Sequence, residues 1–246
     1  HPWVGLDNFR VNWEDPVGRR SLVLTGLLAA GATAIELALG LVLALAMLRS
    51  FRGRRVLMVL FVVPLFISPV IVGMFFDLFL RRPQGPANQI LSWILPGETA
   101  IDFTLNSPWT YVSILVADAW QWTPFMFVIL LAGLSAIPDQ LYEAADLDGA
   151  KPRQAFLFVT LPLLAPIILV AVTFRFIDAA KLFDIIFTLT RGGPGTETYT
   201  TSYYLYQQGF EFFHLGQGTA GSWMFMLMLA FIAFWLVRRL LKPVEA

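Results

Sequence analysis

Cysteine is absent from the 246 residues, which excludes disulfides and thiolate metal sites. Histidine occurs twice, as His1 and His214, and two alone do not make a zinc site of the usual kind. Charge is scarce: 14% of residues are charged, against about 25% in an ordinary soluble domain. The 17 acids balance the 17 bases, so no net basic field exists to hold nucleic acid. No G-x-x-x-x-G-K-[ST] run occurs, so the chain has no loop of that kind to cradle nucleotide phosphates. A Ser-His-Asp set and a motif-placed acid pair are missing too, which disfavours a membrane-bound enzyme.

What is abundant is apolar sequence, 57% of the residues, arranged in long runs. A span needs roughly 20 apolar residues to cross a hydrocarbon core of about 30 Å. Five segments are predicted to cross, at about 22–48, 56–80, 109–134, 159–180 and 215–237. The fourth is uncharged only as far as Phe174 and needs its charged continuation to reach full length. The expected class is therefore an all-α integral membrane protein forming one transmembrane domain over 1–246, with outer loops at 81–108 and 181–214.

Orientation follows from Lys and Arg placement. "RSFRGRR" joins the first two segments, with Arg49, Arg52, Arg54 and Arg55 and no acid, and is expected in the cytoplasm. Arg238, Arg239 and Lys242 agree, placing the C-terminus inside. Arg19, Arg20, Arg81 and Arg82 fall outside and oppose this weakly. His1 then lies outside, so a further helix is expected upstream of residue 1, completing a six-helix core. Trp93, Trp109 and Trp235 fall near span ends, as an aromatic belt would.

Charges inside spans are costly and therefore informative. Arg175, Asp178, Lys181 and Asp184 recur at i,i+3 spacing, so neighbours can pair along one helix. Two readings stand: a polar wall for a translocated solute, with Arg175, Asp178 and Lys181 as its contacts, or an ion-paired brace. Glu36 and Asp118 are lone acids in their spans; Glu36 faces the pathway or a partner, or braces the bundle. Trp120, Gln121 and Trp122 either line the path of a solute or pack. "TSYYLYQQGFEFF" reads as an amphipathic outer helix along the interface.

The segment at 139–158 interrupts the apolar pattern in the cytoplasm. Asp139 is expected to cap a short helix, Glu143 suits its early turns, and Gly149 ends it. Ala144 and Ala145 keep one side slim. From the residues alone this is either a solvated linker or a surface shaped to dock into another protein.

"EAADLDGA" followed by "LP" resembles the EAA loop of permease subunits in bacterial ABC importers. "FRFIDAAKLFDIIFTLTRGGPGTET", "WQWTPFMFVILLAGLSAIPDQLYEAA" and "FRGRRVLMVLFVVPLFISPVIVG" resemble the maltose-type sugar permeases, so the likeness covers nearly the whole chain. The resemblance implies a permease bundle with a coupling helix that sits in a cleft of a separate ATP-hydrolysing subunit. Its contacts there would be Glu143, Ala144, Ala145, Asp148, Gly149 and Ala150. It also implies a second permease, two ATPase subunits carrying ATP and Mg, and an extracytoplasmic sugar-binding protein. No cofactor would be bound by this chain, and the solute would be a di- or oligosaccharide or a glycerol phosphate. The rival expectation is a secondary transporter or channel working alone, which internal repeats would favour; none is visible.

Overall fold

The computed structural model describes residues 4–48, 51–94 and 101–240, with side chains to residue 238. His1, Arg49 and Lys242, and the side chain of Arg239, used above for orientation, lie outside the described residues. Within them the fold is helical, and no strand occurs.

Helix α1 (Asp7–Glu14) leads into α2 (Pro16–Leu48), α3 (Arg54–Val62) and α4 (Pro69–Leu80). Helix α5 (Pro86–Ile94) precedes α6 (Trp109–Ser135). The short α7 (Asp139–Leu147) is followed by α8 (Pro152–Ala155), a π-helical turn at Phe156–Thr160, and α9 (Leu161–Ala180). A second π turn at Ile186–Thr190, then α10 (Thr201–Tyr206) with a third at Gln207–Glu211, lead to α11 (Leu215–Leu240).

Among the described residues, four helical stretches are long and apolar enough to cross a membrane: Pro16–Leu48, Trp109–Ser135, Pro152–Ala180 and Leu215–Arg238. Helix α6 is the centre of the bundle. Its most apolar stretch is 61% buried, against 17% for Pro152–Ala180 and 22% for Leu215–Arg238. Small residues let α2 approach it. A Cβ on Gly40 would sit 2.6 Å from the Cβ of Met126 and 2.9 Å from the Phe127 amide nitrogen. Membrane helices without a hydrophobic driving force pack through such close contacts.

The second apolar run departs from the straight span expected at 56–80. Arg54–Phe66 and Pro69–Leu80 meet at a bend of 99°. The cause is local. Pro69 disfavours helical geometry in the residue before it, and Ser68 and Ile67 are both extended, with ψ of 134° and 135°. A hydropathy run does not register the break because the apolar residues continue through it.

The aromatic stretch at 201–213 also differs from expectation. Instead of lying along the interface throughout, its first half is wedged between α2 and α11, with Tyr203 and Tyr204 buried. Thr25 on α2 fixes the wedge: its hydroxyl lies 3.0 Å from that of Thr201 and accepts the Thr201 N–H at 2.8 Å. Tyr204 donates to Asp15 at 2.7 Å. Burial pushes the Tyr203 and Tyr204 phenols above their ordinary range, so both remain protonated donors. Phe210, Phe212 and Phe213, in the second half, are exposed.

Candidate functional site

Two regions carry the functional candidates: a charged cluster inside the bundle and a short helix standing off its end.

In the first, three spans contribute one charge each. Arg175 of α9 donates from Nε to Glu36 Oε2 at 2.6 Å and from Nη2 to Glu36 Oε1 at 2.8 Å, a two-pronged contact with α2. The same Nη2 also donates to Asp118 of α6. All three residues are at most 1% exposed. The Trp122 ring covers the guanidinium at 4.9 Å from its centroid, adding cation–π attraction. Toward the C-terminal end of α9 the charges open to the surface. Arg175 Nη1 reaches Asp178 at 3.3 Å, and Asp178 reaches Lys181 at 3.5 Å. These last side chains are 41% and 58% exposed. No ion pair joins Lys181 to Asp184 among the described residues.

The geometry therefore separates the substrate-path candidates. Glu36 and Arg175 are enclosed within the cluster. Asp178 and Lys181 are partly exposed at its edge. The i,i+3 row showed the pairs along α9, but the sequence held no signal that Glu36, 139 positions away, meets Arg175.

Gln121 departs from the solute-path reading. It is 1% exposed, and its Nε2 donates to the Ile67 carbonyl at 2.7 Å. That carbonyl is left without a helical partner by the break between α3 and α4, and inside a membrane such a group must be satisfied by protein. Gln121 sits midway along α6 and supplies the donor. Replacing it with Leu is expected to lower stability by about 1–3 kcal/mol, as a buried carbonyl loses its partner. Thermal unfolding in detergent, compared with Gln121→Glu, checks this. Trp120 is 42% exposed and stacks on Phe75 at 6.2 Å. It lines an apolar cavity of about 540 Å³ with residues of α2, α3 and α6, a surface suited to acyl chains more than to a sugar.

The second region is α7. None of its residues is buried, and Leu147 is 90% exposed. Glu143, Ala144, Asp148 and Gly149 are exposed; Ala145 and Ala150 are half-buried. Pro138, not Asp139, occupies the N-cap, and Asp139 is the first helical residue, where its charge still favours the helix dipole. The far end is closed by a Schellman turn: Ala150 N–H donates to Ala145 O at 2.9 Å and Gly149 N–H to Asp146 O at 3.0 Å. Gly149 has φ +76°, the left-handed conformation this turn requires.

After the turn, the Lys151 N–H is accepted by the Gln154 side chain at 2.8 Å, and Pro152 starts the next helix. Tyr142 shares a 3.0 Å hydrogen bond with Thr160, tying α7 to the foot of the long helix. This residue went unnoticed in the sequence, since a lone Tyr in a polar helix carries no spacing signal. The π turn at Phe156–Thr160 carries the helix through Pro162, which has no N–H to give.

The sequence profile of the family described as "Binding-protein-dependent transport system inner membrane component" matches residues 36–244. The chain is 36% identical over 240 residues to a protein of Sinorhizobium fredii named probable ABC transporter permease protein y4oQ, covering 98% of this chain and 77% of that one. It is 36% identical to the trehalose/maltose transport system permease protein MalF of Thermococcus litoralis, covering 96% and 79%. It is also 36% identical to the sulfoquinovosyl glycerol transport system permease protein SmoG of Agrobacterium fabrum, covering 89% and 70%. Among solved structures it resembles a chain of a bacterial ABC transporter that imports the acidic polysaccharide alginate. The TM-score there is 0.88 at 25% identity, over 100% of this chain and 86% of that one. The alginate transporter in complex with its pentasaccharide-bound periplasmic protein gives a TM-score of 0.84.

Proposed function

The chain belongs to the family of binding-protein-dependent transport system inner membrane components, and from that premise we infer how its parts divide the work of an importer. It is a transmembrane permease subunit of an ATP-driven sugar importer. ATP and Mg belong to partner ATPase subunits. A second permease packs against the sparsely covered faces of α9 and α11, where Phe174, Leu227 and Phe231 are exposed. A sugar-binding protein delivers solute from the opposite side, and α7 and the C-terminus lie in the cytoplasm.

Helix α7 is the coupling element. The observation that carries this reading is its combination of exposure and tethering. It offers an uncovered face to a partner, yet the Schellman turn and the Tyr142–Thr160 bond join it rigidly to Pro152–Ala180. That helical stretch has 29 residues and is about 43 Å long at 1.5 Å per residue. Movement of α7 is therefore delivered near Arg175, where α9 is fastened to α2 and α6. Glu143 pairs with a basic residue of the ATPase, and Ala144, Ala145, Gly149 and Ala150 allow close backbone approach. Asp178 and Lys181 are the solute-facing polar groups of α9. Relatives carry neutral disaccharides by name in one case and a sulfonated sugar in another, so the solute is a saccharide or saccharide-like polyol.

Purification tests the assignment. An ATPase is expected to co-purify with the chain, and solute uptake by reconstituted vesicles is expected to stop when ATP is withheld. Uptake by this chain alone, unaffected by ATP, would identify a stand-alone transporter instead.

A further inference from the structure

Resting on the importer reading, we propose that a polar pocket between α4, the π turn at Ile186–Thr190 and the α10 segment is an outer-side subsite for an uncharged sugar ring. The pocket has a volume of about 550 Å³. Its walls bring together Asp77, Arg81, Arg191, Gln207 and Glu211, side chains from three stretches of sequence that no shared motif connects. By contrast, the cavity beside Trp120 is lined almost entirely by carbon.

The pocket has the two features that a sugar ring needs. One is an aromatic face. Phe187 contributes to the lining, stacks on Phe183 at 5.4 Å and meets Tyr206 at 5.6 Å, so its ring is held in place and partly open. The other is a set of convergent polar groups. Arg81 is paired with Asp77. The Arg191 guanidinium and the Gln207 side-chain oxygen Oε1 have no hydrogen-bond partner among the described residues. Glu211 makes one long contact, from the Tyr206 hydroxyl at 3.4 Å. Unused donors and unused acceptors thus face the same space, and a hydroxyl group both donates and accepts.

The wall is also fixed in advance. Arg191 has φ +50°, uncommon for a residue with a side chain. Its carbonyl accepts from the Tyr203 hydroxyl at 2.9 Å, which in turn accepts from Gln207 Nε2 at 3.1 Å. Gln207 is thereby turned so that its Oε1 remains available.

Charge decides the class of sugar. Two carboxylates, Asp77 and Glu211, stand against two guanidiniums, Arg81 and Arg191, so the pocket offers no net positive field to a phosphate, sulfonate or uronate. The cluster farther in has three acids, Glu36, Asp118 and Asp178, against two bases, Arg175 and Lys181. An anionic solute would meet a neutral vestibule and then a field of its own sign.

The absence of native cysteine makes the test clean. The assembled complex carrying Gln207→Cys is reconstituted and labelled with a membrane-impermeant maleimide from the binding-protein side. Maltotriose and trehalose are the neutral probes; trigalacturonate and glycerol 3-phosphate are the anionic ones. At least one neutral probe is expected to slow labelling roughly fivefold, with neither anion doing so. Protection by an anion, or by none of the four, overturns the proposal. Met74→Cys, an uncharged and exposed position on the same wall, serves as a second reporter should Gln207→Cys disturb it. ATP hydrolysis by the unmodified complex is measured alongside. Its failure to respond to a liganded binding protein would strike the importer reading, whereas normal hydrolysis without protection strikes only the subsite.

Discussion

Replacing Arg175 with Met is expected to abolish accumulation of folded protein in the membrane. Two carboxylates, Glu36 and Asp118, depend on this one guanidinium, and all three are sealed from water. Breaking a buried ion pair by removing one partner costs about 3–5 kcal/mol, because the remaining charge is left uncompensated. Here two charges are left, within a bundle whose whole stability is on the order of 5–15 kcal/mol. The cluster also joins α2, α6 and α9, so its loss frees three spans together. Glu36→Gln with Asp118→Asn in the Arg175→Met background is expected to restore much of the yield, since the stranded charges are then gone. Membrane-fraction yield and the detergent melting temperature report both outcomes. Normal yield of Arg175→Met alone would show that the cluster is not a brace.

The second large effect is expected at Gly149→Pro. Proline holds φ near −65°, whereas Gly149 has φ +76°. The substitution also deletes the N–H that closes the turn onto Asp146. No atom lies within 4 Å of a Cβ built at this position, so the damage is to chain direction and not to packing. Because no residue of α7 is buried, the bundle should fold and assemble at normal levels. ATP-driven uptake is expected to fall by roughly two orders of magnitude, equivalent to about 3 kcal/mol in coupling. Glu143→Ala, which removes a single charge without redirecting the chain, is expected to cause a smaller loss. Vesicle uptake and ATP hydrolysis measured on the same preparation separate uncoupling from misfolding; uptake within twofold of the parent would argue against coupling through this turn.

The membrane class and the runs that form the spans were legible in composition and hydropathy, because crossing a bilayer demands a length of apolar sequence that few other structures need. The break at Ile67–Ser68 was not, although Pro64 and Pro69 bracket it, because an apolar count is blind to backbone direction. Spacing could not choose between the two readings of Gln121 for the same reason. Its partner, the Ile67 carbonyl, becomes available only once the helix has broken. Along α9 the Arg175–Asp178–Lys181 pairing could be read from spacing, since i,i+3 neighbours share a face. Glu36 and Asp118 came to the same guanidinium from separate spans, and no local periodicity encodes that meeting. In α10 the aromatic pattern suggested an interfacial helix, while the Thr25–Thr201 contact that turns Tyr203 and Tyr204 inward is a tertiary fact. The pocket beside α4 has no sequence signature because Asp77, Arg191 and Glu211 are dispersed through loops and helix ends.

Cross-linking from Leu147→Cys on exposed α7 tests the coupling claim most directly. In the assembled complex, a maleimide–amine bifunctional reagent applied from the cytoplasmic face is expected to join this chain to the ATPase subunit, and an impermeant maleimide outside is expected to leave the thiol untouched. Labelling from outside, with no adduct to the ATPase, would contradict it.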